Sequence, residues 1–199
     1  MDVSAKDVMT LRQRTGAGMM DCKKALIDAK GDMEKAADIL REKGIASAQK
    51  RSDRETNQGY IAVYVHPGSK LAAMVEVDCE TDFVARNEEF QEFAHNLAMH
   101  VAAAAPMAVL PEELDPKIVE KEREIYRAQA LNEGKKPEFV DKIDEGRLKK
   151  FYAESCLMSQ IYIRDEARKK TIQDLLHELV GKIGENIIIK RFCRFQIGA

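Results

Sequence analysis

The chain has 199 residues, with 32 Lys and Arg against 34 Asp and Glu and a formal net charge of −2. That length suits one compact domain, or a small domain joined to a larger one, and 45% apolar residues are enough to bury a core. A charged fraction of 33%, above the roughly 25% usual for soluble proteins, points to long exposed helices. The near-neutral balance disfavours direct nucleic-acid binding, which needs a basic face to gain counterion release.

No apolar run approaches the ~18 residues needed to span a bilayer, and Met1-Asp2-Val3-Ser4 lacks the basic and apolar regions of a signal peptide. A cytoplasmic protein without a membrane partner is expected. The four cysteines, Cys22, Cys79, Cys156 and Cys193, lie far apart with no C-x-x-C pair, so reduced thiols are expected rather than a disulfide framework or a zinc site. Charge is spread unevenly. Residues 58–115 carry 2 basic against 10 acidic side chains, which fits either a solvated acidic face or a surface for a basic protein partner.

Residues 1–45 read as three short helices. Ser4 with Asp7 resembles a capping box, and Val8, Leu11 and Thr15 follow at helical spacing until Gly16-Ala17-Gly18. A second helix carries Cys22, Ala25, Leu26 and Ala29 inward and stops at Gly31. Asp32 then caps a third, with Ala36, Ile39 and Leu40 inward and Gly44 as its end. So small a unit has a thin core and is better suited to docking than to catalysis. Residues 46–58 are polar, without a sustained apolar stripe, and form the expected linker.

Two strands follow, Tyr60 to Val65 and Leu71 to Cys79, joined through His66-Pro67-Gly68-Ser69-Lys70 as a hairpin. In the second, Leu71, Ala73, Val75, Val77 and Cys79 share one face. Asn87 can cap a helix in which Phe90, Phe93, Ala94, Leu97 and Val101 repeat at helical spacing, and Pro106 closes it. From about 115 to 154 a charge-dense stretch, interrupted at Asn132 to Pro137, reads as two antiparallel helices. Its thin stripe of Ile118, Val119, Ile125, Tyr126, Val140, Ile143, Leu148, Phe151 and Tyr152 implies a protruding hairpin. A helix from Thr171 to Gly184 and a strand from Asn186 to Ile197 complete an α+β core over 59–199 with a small antiparallel sheet.

The four histidines form no metal pattern: His95 and His100 are five apart, on different helix faces. Neither a phosphate-binding G-x-x-x-x-G-K-[ST] loop nor a G-x-S-x-G elbow occurs, so no enzymatic chemistry and no cofactor are expected. The informative place is the strand-to-helix junction Cys79 to Asn87. Asp82 is placed to cap a helical turn with Phe83 at its first position; either Asp82 is only a cap and Phe83 only core, or the pair projects toward a partner. Met19 and Met20 pose the same choice. Adjacent methionines cannot both face one core, and an exposed Met suits adaptable protein contacts.

Three segments carry a resemblance: Leu11 to Leu26, the junction Glu80-Thr81-Asp82-Phe83-Val84-Ala85-Arg86, and Lys182-Ile183-Gly184-Glu185-Asn186-Ile187. In this order they closely resemble bacterial translation elongation factor Ts, over nearly the whole chain and in its short form. The resemblance implies a guanine nucleotide exchange factor for the GTPase elongation factor Tu, with a ubiquitin-associated-like N-terminal domain. It places Arg12, Met19, Met20, Thr81, Asp82, Phe83 and Val84 against the GTPase, with the Asp82-Phe83 tip entering near its Mg²⁺ and phosphate site. It also implies a homodimer, for which the last strand is the candidate seam. Ile187, Ile189, Arg191, Cys193 and Phe195 are expected on one face, and Cys193 is either a free thiol or half of an intersubunit disulfide. Without the resemblance, an adaptor or holdase for other protein partners fits equally well.

Overall fold

Ser4 opens the first helix in the computed structural model, which describes residues 3–198 except the side chain of Glu138; Met1, Asp2 and Ala199, at the ends of the expected domains, lie outside the described residues. Helix α1 spans Ala5–Thr15. The Ser4 hydroxyl accepts from the Asp7 amide at 3.1 Å and donates to the Asp7 carboxylate at 2.7 Å, a cap worth about 1 kcal/mol. Gly16, at φ 69°, ends the helix and returns its N–H to the Arg12 carbonyl at 2.8 Å; a residue with a Cβ would be strained there. Helices α2 (Met19–Asp28) and α3 (Met33–Gln49) follow, and the Asp32 carboxylate accepts from the Glu34 and Lys35 amides, both at 3.1 Å. Val8, Leu11, Cys22, Ala25, Leu26, Ala29, Ala36 and Leu40 form the core of these three helices, the positions their periodicity predicts.

Helix α3 does not stop at Gly44. It runs five residues further, into the expected linker, because Gly44 serves another purpose there. A Cβ at Gly44 would lie 3.3 Å from the His177 carbonyl, and one at Gly181 would lie 3.4 Å from the Gly44 Cα. Both residues belong to the close crossing of α3 with helix α8 (Ile172–Ile183), which the Arg41–Asp174 ion pair at 2.9 Å also ties. A glycine read as a stop is a contact point instead.

Strands β1 (Gln58–Val65), β2 (Leu71–Cys79) and β3 (Ile187–Gln196) form an antiparallel sheet in the order β1-β2-β3. In β2, Ala73, Val75, Val77 and Cys79 are buried, as the alternation requires. After a four-residue helix α4 (Asp82–Ala85), helix α5 (Glu88–Ala104) begins under the Asn87 cap, whose side chain accepts from the Glu89 amide at 2.9 Å, and buries Phe90, Ala94, Leu97 and Val101. Helices α6 (Pro116–Asn132) and α7 (Pro137–Ser155) pack along each other. Their stripe differs from the expected one. Val140 and Leu148 are buried as expected, but Ile125 is exposed, while Ala130 and the carboxylate of Asp144 are buried in addition. Arg127 Nε approaches that carboxylate at 3.5 Å, so a charged group takes a place that an apolar pattern does not mark.

The chain divides into two compact units. One takes in the chain up to Ala62, Val75–Asn96 and Gln173–Lys190; the other takes in Val63–Met74, Leu97–Ile172 and the chain from Arg191. The second has its own buried polar network. His100 Nδ1 accepts from the Ile163 amide at 3.3 Å, which leaves Nε2 to donate to the Gln160 side-chain oxygen at 2.9 Å. The Gln160 amide in turn donates to the Glu154 carbonyl at 2.6 Å. Burial holds the His100 imidazole below its ordinary pKa, although Gln160 partly opposes this. Among the described residues, no helix is long and apolar enough to cross a membrane, and no cluster of His, Cys, Asp and Glu is placed to hold a metal ion.

Candidate functional site

Strand β2 ends in the buried Cys79, and the next two residues turn the chain into α4. Thr81, not Asp82, is the cap: its φ of −126° and ψ of 156° are extended, and its hydroxyl accepts from the Val84 amide at 3.4 Å. Asp82 is therefore the first helical residue and Phe83 the second, one step later than the spacing suggested. Thr81 is itself a favoured cap residue, and its backbone is extended as a cap requires. Asp82 pairs with Arg86 at 3.2 Å, an i, i+4 contact on the surface. Val84 is half-buried, whereas Phe83 is 84% exposed.

Every polar group of Thr81 is engaged. Its amide donates to Glu185 Oε2 at 3.0 Å and its hydroxyl to Glu185 Oε1 at 2.6 Å. Its carbonyl accepts from the Cys79 thiol at 3.2 Å and from the Ala85 amide at 3.2 Å. Burial, with the Glu185 charge added, pushes the Cys79 pKa up to about 11, so the thiol stays protonated and able to donate at neutral pH. The preceding residue reaches the other way. Glu80 accepts from the Asn186 amide at 2.6 Å, which with Arg54 at 3.3 Å holds its carboxyl below the ordinary range. The buried Asn186 side chain donates to the Arg54 carbonyl at 2.8 Å and the Ser52 carbonyl at 3.3 Å.

On either side of the α1–α2 turn, Arg12 of α1 is exposed, and so are Met19 at 43% and Met20 at 74% of α2. Cys22, three residues after Met19, faces the core instead. Both methionines thus lie on the surface of α2, where sequence spacing required only one of them to be. The same unit brings Lys182 to this turn: its side chain lies where a Cβ on Gly16 would contact it at 3.4 Å, and its ammonium pairs with Glu89.

The last strand is buried at its start and exposed toward its end. Ile187 and Ile189 are buried, but Lys190 and Arg191 are both exposed, and Arg194 reaches α5, its Nε donating to the Ala102 carbonyl at 2.9 Å. Cys193 is half-buried as a free thiol and Phe195 is 67% exposed. Burial thus fades along the strand: Ile187 and Ile189 are covered, whereas Arg191 and Phe195 are exposed and Cys193 is half-buried.

Neither residue type nor spacing marks Glu80, Glu185, Asn186 and Arg54 as functional. A carboxylate beside a glycine reads as a surface residue until the partner residue about a hundred positions away is known. The only sign of Glu185 and Asn186 was their place in the Lys182 to Ile187 run.

The family model described as Elongation factor TS matches residues 30–198. Elongation factor Ts of Caldanaerobacter subterraneus subsp. tengcongensis is 55% identical over 196 residues, 98% of this chain and 97% of that protein. Elongation factor Ts of Thermoanaerobacter sp. strain X514 is 55% identical over 98% of this chain and 95% of its own length. Elongation factor Ts of Nitratidesulfovibrio vulgaris is 54% identical over 100% of this chain and 98% of its own length. With the matching family model spanning far more than half of the chain and relatives of this identity running end to end, the chain belongs to the elongation factor Ts family.

Proposed function

We propose that this protein is a guanine nucleotide exchange factor that promotes GDP release from elongation factor Tu during translation elongation. Membership of the family supports the activity and the partner. The observation that carries the mechanism is Phe83, exposed on a turn whose cap residue Thr81 is held through its amide, hydroxyl and carbonyl. A large apolar side chain held out on a fixed support gains by burial in a partner and loses little entropy on docking. In this reading Asp82 and Phe83 enter near the Mg²⁺ and phosphate site of the GTPase. Displacement of the metal and of backbone N–H contacts to the phosphates then releases GDP.

The energetics set the size of the task. A nucleotide held at nanomolar Kd is stabilised by about 12 kcal/mol, and the factor must offset much of this with its own binding. Linkage makes GDP weaken the factor's hold by the same ratio, so neither ligand traps the GTPase. One wedge cannot supply so much, and Arg12, Met19 and Met20 provide a second grip beside Thr81 and Val84. No bond is made or broken, so the protein is not an enzyme in the chemical sense.

The finer architecture belongs to the same proposal: a ubiquitin-associated-like domain over 1–45, a linker over 46–58, and a core over 59–199 whose helical hairpin protrudes. So do a cytoplasmic location and a homodimer whose seam includes Arg191, Cys193 and Phe195. Stopped-flow release of a fluorescent GDP analogue from elongation factor Tu tests the activity. Acceleration by the intact protein is expected; its absence turns the assignment toward an adaptor or holdase for other proteins.

A further inference from the structure

Residues 80 and 81 and residues 185 and 186 clasp each other reciprocally. The Glu185 carboxylate takes both donors of Thr81, at 3.0 and 2.6 Å, while the Glu80 carboxylate takes the amide of Asn186 at 2.6 Å. Gly184 makes the first half possible. At φ 87° it closes α8, returning its N–H to the Val180 carbonyl at 2.9 Å, and turns the chain so that Glu185 follows at once. The second half is anchored through the buried Asn186 to the backbone at Ser52 and Arg54.

The hydroxyl of Thr81 has one proton, and it is spent on Glu185. Its oxygen then turns a lone pair to the Val84 amide and so sets the first turn of α4. Phe83 is the second residue of that turn. The orientation of an otherwise unsupported aromatic ring thus depends on a carboxylate 104 positions away in sequence from the residue it holds.

We propose that Glu185 is a positioning residue for nucleotide exchange: by holding the amide and hydroxyl of Thr81, it sets the direction in which Phe83 is presented to the GTPase. This rests on the exchange reading above. A charge-assisted pair on one residue fixes both position and rotation, whereas a single neutral bond fixes only distance. Glu185→Gln keeps the size and one acceptor but replaces the other with a donor.

The test measures GDP release from elongation factor Tu against factor concentration for the intact protein, Glu185→Gln, Phe83→Ala and the double variant. Glu185→Gln is expected to lower the limiting rate by about tenfold, the scale of one charge-assisted hydrogen bond, with the half-saturating concentration changed less than about threefold. In the Phe83→Ala background it should cause no further loss, because the ring it orients is gone. Should Glu185→Gln fail to fold, Thr81→Val removes the hydroxyl half of the clasp and is read by the same criteria. An unchanged limiting rate, a change confined to half-saturation, or losses that multiply in the double variant each overturn the proposal. An intact protein that does not accelerate release overturns the exchange reading, and the role of Glu185 in exchange with it.

Discussion

The Thr81–Ala85 turn and the α6–α7 hairpin both hold an aromatic ring in solvent, Phe83 at 84% exposure and Phe139 at 53%, but their supports differ. The turn is tied by bonds between residues more than a hundred positions apart, through groups that are at least partly buried. The hairpin is laced by surface contacts between residues 14 to 18 positions apart: Arg147 to Glu133 at 2.9 Å and to Gln129 at 2.8 Å, and Arg127 to Asp141 at 3.5 Å. Surface ion pairs of that kind are worth 0 to about 1 kcal/mol and are screened by salt. Exposure alone therefore says little about function. An aromatic on a turn tied through partly buried groups is presented at a defined point.

Mutations separate the two regions. The largest effect on stability is expected from Leu148→Ala in the hairpin, about 2 to 5 kcal/mol by chemical denaturation, since it opens a cavity at a buried seam position. Phe83→Ala should leave denaturation within about 0.5 kcal/mol of the intact protein. It should nonetheless slow nucleotide release on the scale of an interface hot spot, about 2 kcal/mol or more in the barrier. Phe139→Ser should do neither, and a large loss of exchange on that change would erase the contrast.

Smaller effects sharpen it further. His100 is held below its ordinary 6.5 by burial, so the unfolded chain takes up a proton more readily than the folded one. The stability that this neutral imidazole contributes is present above pH 6.5 and is lost as pH falls through its lower folded value. Denaturation midpoints should fall with acid in this window, less steeply in His100→Gln. Arg147→Ala, which removes exposed pairs from the hairpin, should cost at most about 1 kcal/mol, and less in high salt.

Periodicity disclosed most of the helices and the buried face of β2, because a burial pattern repeating every 3.6 or 2 residues is written locally. Ser4, Asp32 and Asn87 were legible as caps for the same reason: a cap acts on amides two or three residues away. Local pattern is silent where a residue answers to something distant. Gly44 looked like a stop, but it leaves room for α8. Asp82 looked like the cap because Thr81 and Asp82 both qualify, and the Glu185 clasp makes Thr81 the anchored one. In the hairpin, Asp144 lies in a seam that the apolar pattern assigned to other residues.

By itself the sequence determined the order of elements, the α+β class and, through three signature segments, the family. These depend on short-range patterns and on the residues themselves. Only the tertiary structure decided that Phe83 stands in solvent, that Glu185 and Asn186 clasp Thr81 and Glu80, and that burial along β3 fades after Ile189. Such features are set by which distant donor meets which acceptor. A carboxylate has the same letter in the sequence whether it faces water or holds a backbone amide 104 residues away.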